Sequence, residues 1–217
     1  MIPKLLWITP ESEPLGPMLA TLEGLVGLDA GLEALAVLLR RPGAPGRQWL
    51  AEARALQATG VPLFVSGHLD VALAAGAAGV QLPERGVEVA EARRLFGGVV
   101  GVSRHDRAGL EHAAAQGADY ATLSPFDQVP GKGRALGPEG FAGARRGISL
   151  PVLALGGITP ATAGAARAAG ADGFAVLRGE TISGPWRGSW RAPDPSRPSP
   201  RPCVPPARRV ANVAGRW

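Results

Sequence analysis

The sequence is poor in cysteine and in long apolar runs, and each shortage removes a class of protein. Its single cysteine, Cys203, excludes an internal disulfide framework and a multi-cysteine metal site. Hydrophobic residues make up 46% of the chain, yet no uninterrupted apolar run approaches the roughly 18 residues of a membrane helix. The N-terminal stretch Met1 to Thr9 turns polar too early for a signal peptide and reads as a first strand. No membrane partner is expected, and a cytoplasmic home is the default. A basic binding face is also missing, despite a net charge of +5. Residues 183–217 hold seven arginines and one aspartate, whereas residues 1–182 hold 16 basic and 17 acidic side chains. The body of the chain is therefore nearly neutral, so no specific nucleic-acid partner is expected. Any attraction of the tail to polyanions should vanish with salt.

What the chain does contain is a repeating alternation. Eight short β-rich apolar runs recur: Leu5–Thr9, Ala34–Leu39, Pro62–Val65, Gly79–Leu82, Val99–Ser103, Tyr120–Ser124, Pro151–Leu155 and Gly173–Leu177. Several are apolar on both parities, as strands buried on two faces must be. Helical signals separate them. Trp49, Leu50, Ala53 and Leu56 fall at helical spacing within 47–58. Asp106 opens 106–116 as an N-cap, and Thr159-Pro160 opens 159–169 as an N-cap with proline at the first helical position. Strand–helix alternation implies a parallel sheet with right-handed crossovers. Eight units in residues 1–182 predict an α/β fold of the (β/α)8 TIM-barrel type, with a doubly wound open sheet as the alternative. The phrases Ala75-Gly76-Ala77-Ala78-Gly79, Gln116-Gly117-Ala118-Asp119-Tyr120 and Ala169-Gly170-Ala171-Asp172-Gly173 are read as helix-to-strand turns rather than as a site. The composition of 183–217, with eight prolines and seven arginines, predicts a disordered tail. No eighth helix is readable there, and Trp186 and Trp190 are the candidates to shield its place.

In a barrel, chemistry sits where strands end and βα loops begin. Strand 7 runs into Gly156-Gly157 and strand 8 into Arg178-Gly179. Glycines there let backbone N–H groups approach an anion, beside the positive end of a following helix. These four residues are the candidate phosphate site. The loop after strand 6, Ser124 to Arg134, is long and glycine-rich and suggests a binding loop. It carries Lys132, one of only two lysines beside 21 arginines, and an ammonium suits a point contact to phosphate or carboxylate. Among three histidines, His105 lies immediately past strand 5, His68 follows strand 3, and His112 falls mid-helix. Imidazole is the natural carrier of a proton near neutral pH, which makes His105 the candidate catalytic residue.

These pieces resemble the thiamine phosphate synthase and thiazole tautomerase superfamily. The resemblance rests on the loop ending at Lys132, on Pro151 to Thr159, on Gly170 to Val176, and on Leu69-Asp70-Val71-Ala72-Leu73 followed by Gly79-Val80-Gln81-Leu82. It spans about residues 4 to 180. The synthase pattern fails at informative places. Its Gln-x-Arg-x-Lys run after strand 2 survives only as Arg40. Its Asn-Asp after strand 3, whose aspartate binds Mg2+, is Ser66-Gly67. Its second magnesium aspartate falls near Arg85 or Gly86, and its Thr-x-Thr before the lysine is Val129-Pro130-Gly131. The tautomerase branch is similar to Gly67, to Val80-Gln81-Leu82-Pro83, and to Gly101-x-Ser103-x-His105. That resemblance implies aromatisation of a thiazole carboxylate phosphate by proton transfer at His105, with no metal and no cofactor. It places Arg40, Ser66, Gln81, Ser103 and Lys132 around a small phosphorylated thiazole. Replacement of the missing metal ligands by Glu84 or Glu88 stays open, as does a homo-oligomer. The alternatives are a divergent synthase that couples pyrimidine diphosphate with thiazole phosphate, and a silent phosphate-ligand binder.

Overall fold

Strands and helices alternate in the computed structural model, which describes residues 1–11, 14–26 and 34–177. Arg178, Gly179, the position of an eighth helix and the 183–217 tail lie outside the described residues. The order is β1 (Leu5–Ile8), α1 (Gly16–Val26), β2 (Leu35–Leu39), α2 (Gly46–Gln57), β3 (Leu63–Ser66), α3 (Leu69–Ala75), β4 (Gly79–Leu82) and α4 (Val89–Leu95). There follow β5 (Val99–Arg104), α5 (Arg107–Ala115), β6 (Tyr120–Leu123), α6 (Gly137–Arg145), β7 (Val152–Leu155), α7 (Pro160–Ala168) and β8 (Gly173–Val176). Each strand pairs in parallel with the next, and β8 returns to β1 through Leu5↔Phe174 and Trp7↔Val176. The sheet is a closed barrel, which rules out the open doubly wound alternative.

Strand parity divides the core in two. Leu6, Ile8, Ala36, Leu38, Phe64, Tyr120, Leu153 and Ala175 point to the barrel axis and pack on one another. The opposite parity, including Trp7, Val37, Leu63, Val80, Val102, Leu123 and Phe174, packs outward against the helices. Both sets are apolar, which is why the strand sequences show no alternation. Helix α2 buries Trp49, Ala53 and Leu56 on one stripe, the face its periodicity requires. Asp106 caps α5 by accepting from Gly109 N at 2.7 Å, and Thr159 closes a capping box on α7 with Thr162.

The two Ala-Asp turns do the same structural work. Asp119 accepts from Val100 N at 2.7 Å and pairs with Arg93 of α4. Asp172 accepts from Val152 N at 2.9 Å and pairs with Arg145 of α6 at 2.5 Å. Each carboxylate satisfies an N–H at the start of the preceding strand and anchors the helix in front of it. Both sit at the N-terminal ends of the strands, the end of a barrel that serves stability.

Candidate active site

The axial parity carries the site upward to the C-terminal rim. Register places Ser66 beside Gln81, Gln81 beside Gly101, and Ser103 beside Thr122. One polar wall therefore runs across β3 to β6. Opposite it, Ile8, Leu38 and Leu155 form an apolar wall from β1, β2 and β7. Gln81 is buried and donates from Nε2 to Ser103 Oγ at 3.1 Å and to Thr122 Oγ1 at 3.3 Å. Its Oε1 and the Tyr120 hydroxyl are buried without a hydrogen-bond partner among the described residues. Burial pushes the Tyr120 phenol up, so it stays neutral. Gly101 is glycine for a reason of space. A Cβ there would lie 2.2 Å from the Tyr120 ring and 2.5 Å from Gln81 Oε1.

His105 continues the inward parity of Gly101 and Ser103 one residue past β5. Its Nδ1 lies 2.7 Å from the Ser124 carbonyl oxygen and 3.2 Å from Ser124 Oγ. A carbonyl only accepts, so Nδ1 carries the hydrogen and Nε2 is left for chemistry. Glu84, in the loop that leaves β4, has Oε2 3.9 Å from that Nε2. Both side chains are about half exposed at the rim. The other histidines are placed elsewhere. His68, a second strand-end candidate by sequence, stacks on Trp49 of α2 with ring centroids 4.3 Å apart, and Asp70 lies 3.7 Å from its Nδ1. His112 sits on α5, where its Nε2 meets Gln116 at 2.8 Å and Glu88 at 3.6 Å.

The glycine pair after β7 is a junction between two loops. Gly156 and Gly157 have φ of 85° and 71°, the left-handed region that favours glycine. A Cβ on Gly156 would come within 3.0 Å of Pro125 Cα, and one on Gly157 within 2.6 Å of Asp127 Cβ. Phe126 N donates to Leu155 O at 2.8 Å and Asp127 N to Gly156 O at 3.0 Å. The neck of the β6–α6 loop closes through Leu136 N to Pro125 O and Gly137 N to Phe126 O, both 2.9 Å. Lys132 is exposed at the tip, beyond that neck, and makes no ion pair among the described residues. The N–H groups of Gly156, Gly157 and Ile158 meet no acceptor among the described residues. They are candidate donors to an anion beside the N-terminus of α7. Arg40, at the end of β2, pairs with Glu11, and its backbone N and O are both held by the buried Thr9 hydroxyl.

Among the described residues the donor set at the rim does not fit a magnesium ion that must carry a diphosphate. Such an ion wants carboxylate oxygens. Ser66 and Gly67 stand where the resemblance puts the first carboxylate, and Arg85 or Gly86 where it puts the second. Glu88 does not replace them. It accepts from Gln116 Nε2 at 2.7 Å, which holds its carboxyl below the usual glutamate range, and so links α4 to α5. Among the described residues no three of His, Cys, Asp and Glu come together in a way that could hold a metal ion.

A closed parallel barrel with a polar half-wall, an oriented imidazole and open backbone donors at its C-terminal rim defines the (β/α)8 class of enzyme scaffold. Within that class the chain belongs to the family described as Thiamine monophosphate synthase, whose profile matches residues 6–179. It is 41% identical over 169 residues to a Geobacter sulfurreducens protein provisionally named a thiamine-phosphate synthase, covering 74% of this chain and 78% of the relative. It is 41% identical over 166 residues to the thiamine-phosphate synthase of Methanoculleus marisnigri, covering 70% and 77%. Among solved structures, the thiamine phosphate pyrophosphorylase of Pyrococcus furiosus superposes with a TM-score of 0.69 at 27% identity, covering 86% of this chain and 91% of that one. The family and the fold are thereby shown, and the protein is an enzyme of the thiamine-phosphate synthase family. These relatives carry the synthase name, not the tautomerase name that the sequence comparison of individual positions favoured. Among the described residues no helix is long and apolar enough to cross a membrane.

Proposed function

We propose that the protein is a metal-independent thiazole tautomerase, an isomerase that converts the alkylidene tautomer of a thiazole carboxylate phosphate into the aromatic carboxythiazole ethyl phosphate. The observation that carries this reading is the rim itself. It offers an imidazole with one nitrogen anchored and the other without a hydrogen bond among the described residues, and among those residues no three of His, Cys, Asp and Glu come together in a way that could hold a metal ion. Aromatisation needs only that a proton leave one carbon and another arrive at a second. His105 is the proton carrier of this reading. The apolar wall of Ile8, Leu38 and Leu155 suits the flat ring, and Ser66, Gln81 and Ser103 suit its polar edge. The phosphate suits the N–H groups at Gly156 and Gly157, with Lys132 and, from the sequence, Arg178 and Gly179 as further contacts, which would fix the ring against the imidazole. Arg40 reaches the substrate only by exchanging Glu11 for it.

The names of the relatives favour a second reading, the coupling of pyrimidine diphosphate with thiazole phosphate. One experiment separates the two. The purified full chain is given the thiazole tautomer in EDTA, and in parallel the two coupling substrates with Mg2+. Aromatisation in EDTA without coupling supports the tautomerase. Magnesium-dependent coupling without aromatisation supports the synthase and refutes the first reading. Binding of the phosphate ligand with neither reaction leaves the silent binder.

A further inference from the structure

His105 is anchored at one ring nitrogen. Its Nδ1 is tied to Ser124 O at 2.7 Å and Ser124 Oγ at 3.2 Å, so Nε2 serves one point at the rim. A tautomerisation across a five-membered ring has two such points, the carbon that loses a proton and the carbon that gains one, separated by the breadth of the ring. A second proton-carrying group is therefore wanted beside the first. The rim carboxylates differ in what they already do. Glu11 is paired with Arg40, Asp106 caps α5, Asp127 accepts from Gln128 N, and Asp70 lies beside His68. Glu84 has no hydrogen bond and no arginine or lysine partner among the described residues, and the basic side chain within 4.0 Å of it there is His105, whose Nε2 lies at 3.9 Å. The two groups stand side by side, so each can meet a different carbon of one ring laid across them.

Resting on the tautomerase reading, we infer that Glu84 is the second catalytic residue of this site, the base that works opposite His105 as the acid. Glu84 carboxylate takes the proton from the ring carbon that bears the substrate carboxylate. The freed electron pair enters the ring, and the ring-to-exocyclic double bond shifts inward. The exocyclic carbon takes the proton from Nε2 of the doubly protonated His105. The ring is now aromatic, Glu84 is protonated and His105 is neutral. Transfer of the proton from Glu84 to His105 Nε2 restores the starting state, so protons and electrons balance with no oxidant, reductant or metal.

The test uses the full chain, the thiazole tautomer, and the variants Glu84→Gln, Glu84→Asp and His105→Gln. Loss of one acid–base partner should lower kcat by about 10²-fold in Glu84→Gln and in His105→Gln, with KM within about two-fold of wild type. Glu84→Asp, which keeps the carboxylate on a shorter stem, should recover part of the loss. Isotopes separate the roles. With the carboxylate-bearing ring carbon deuterated, Glu84→Gln should enlarge the substrate isotope effect, because proton removal becomes limiting. His105→Gln should instead enlarge the solvent isotope effect. Full turnover by Glu84→Gln in an active wild-type background overturns the assignment and leaves the tautomerase reading standing. The reverse pattern of isotope effects overturns the division of roles. A wild-type chain that does not aromatise the tautomer overturns the reading and the assignment together.

Discussion

Gly157→Ala should destabilise the barrel, and its cost separates crowding from backbone strain. The φ of 71° alone costs an L-residue about 1 kcal/mol. The new Cβ would also lie 2.6 Å from Asp127 Cβ and 3.1 Å from Asp127 C, so the backbone of the β6–α6 loop must yield. That overpacking adds about 2 kcal/mol, and it endangers the 3.0 Å bond from Asp127 N to Gly156 O. The control is Gly131→Ala. Gly131 has nearly the same φ, 75°, but an added Cβ meets nothing within 4 Å. At about 2–4 °C per kcal/mol for a domain of this size, Gly157→Ala should lower Tm by about 6–12 °C and Gly131→Ala by about 2–4 °C. Thermal unfolding of the two variants followed by circular dichroism measures the difference. Equal shifts would refute the claim that the glycine pair is a packed junction. Alanine is a cleaner probe here than Gly157→Asp, which would add a second carboxylate beside Asp127 and mix like charge with crowding.

Other outcomes follow from single contacts. His105→Ala should lower tautomerase turnover by about 10²–10⁴-fold with ligand affinity nearly kept, whereas His68→Ala should leave turnover intact because that ring stacks on Trp49; loss of activity in the His68 variant alone reverses the choice of histidine. Asp172→Ala should cost about 2–3 kcal/mol by chemical denaturation, since it leaves Val152 N and the Arg145 guanidinium without their acceptor, and Asp119→Ala should match it for the same reason at Val100 N. Lys132→Ala should weaken phosphate-ligand binding, measured by calorimetry, less than ten-fold, because the open N–H groups at Gly156 and Gly157 remain; abolished binding would make the ammonium the principal anchor.

The barrel was legible because its instructions are local. Eight apolar runs, their turn glycines, and the caps at Asp106 and Thr159 each act within a few residues, and all appear where the spacing put them. His105 was legible from its place just past a strand, whereas Ser66, Gln81 and Ser103 came from the family resemblance, and register and a hydrogen bond set them beside one another. Pairings between distant segments were not legible. Nothing in the sequence sets His68 on Trp49 or Arg40 on Glu11, because those contacts join loops and helices brought together only by closure of the sheet. The same holds for the Ala-Asp turns, read as simple turns, whose carboxylates prove to anchor Arg93 and Arg145. Glu84 shows the division most clearly. By sequence it was no more than an uncertain metal ligand beside Glu88. The structure sends Glu88 to the outer helices and Glu84 to the imidazole. Sequence by itself determined the repeating unit, the helix caps and the glycines at the rim, because backbone propensity and capping are short-range. Tertiary structure alone decided which charges meet, because an ion pair depends on where two loops from different strands come to rest around the closed barrel.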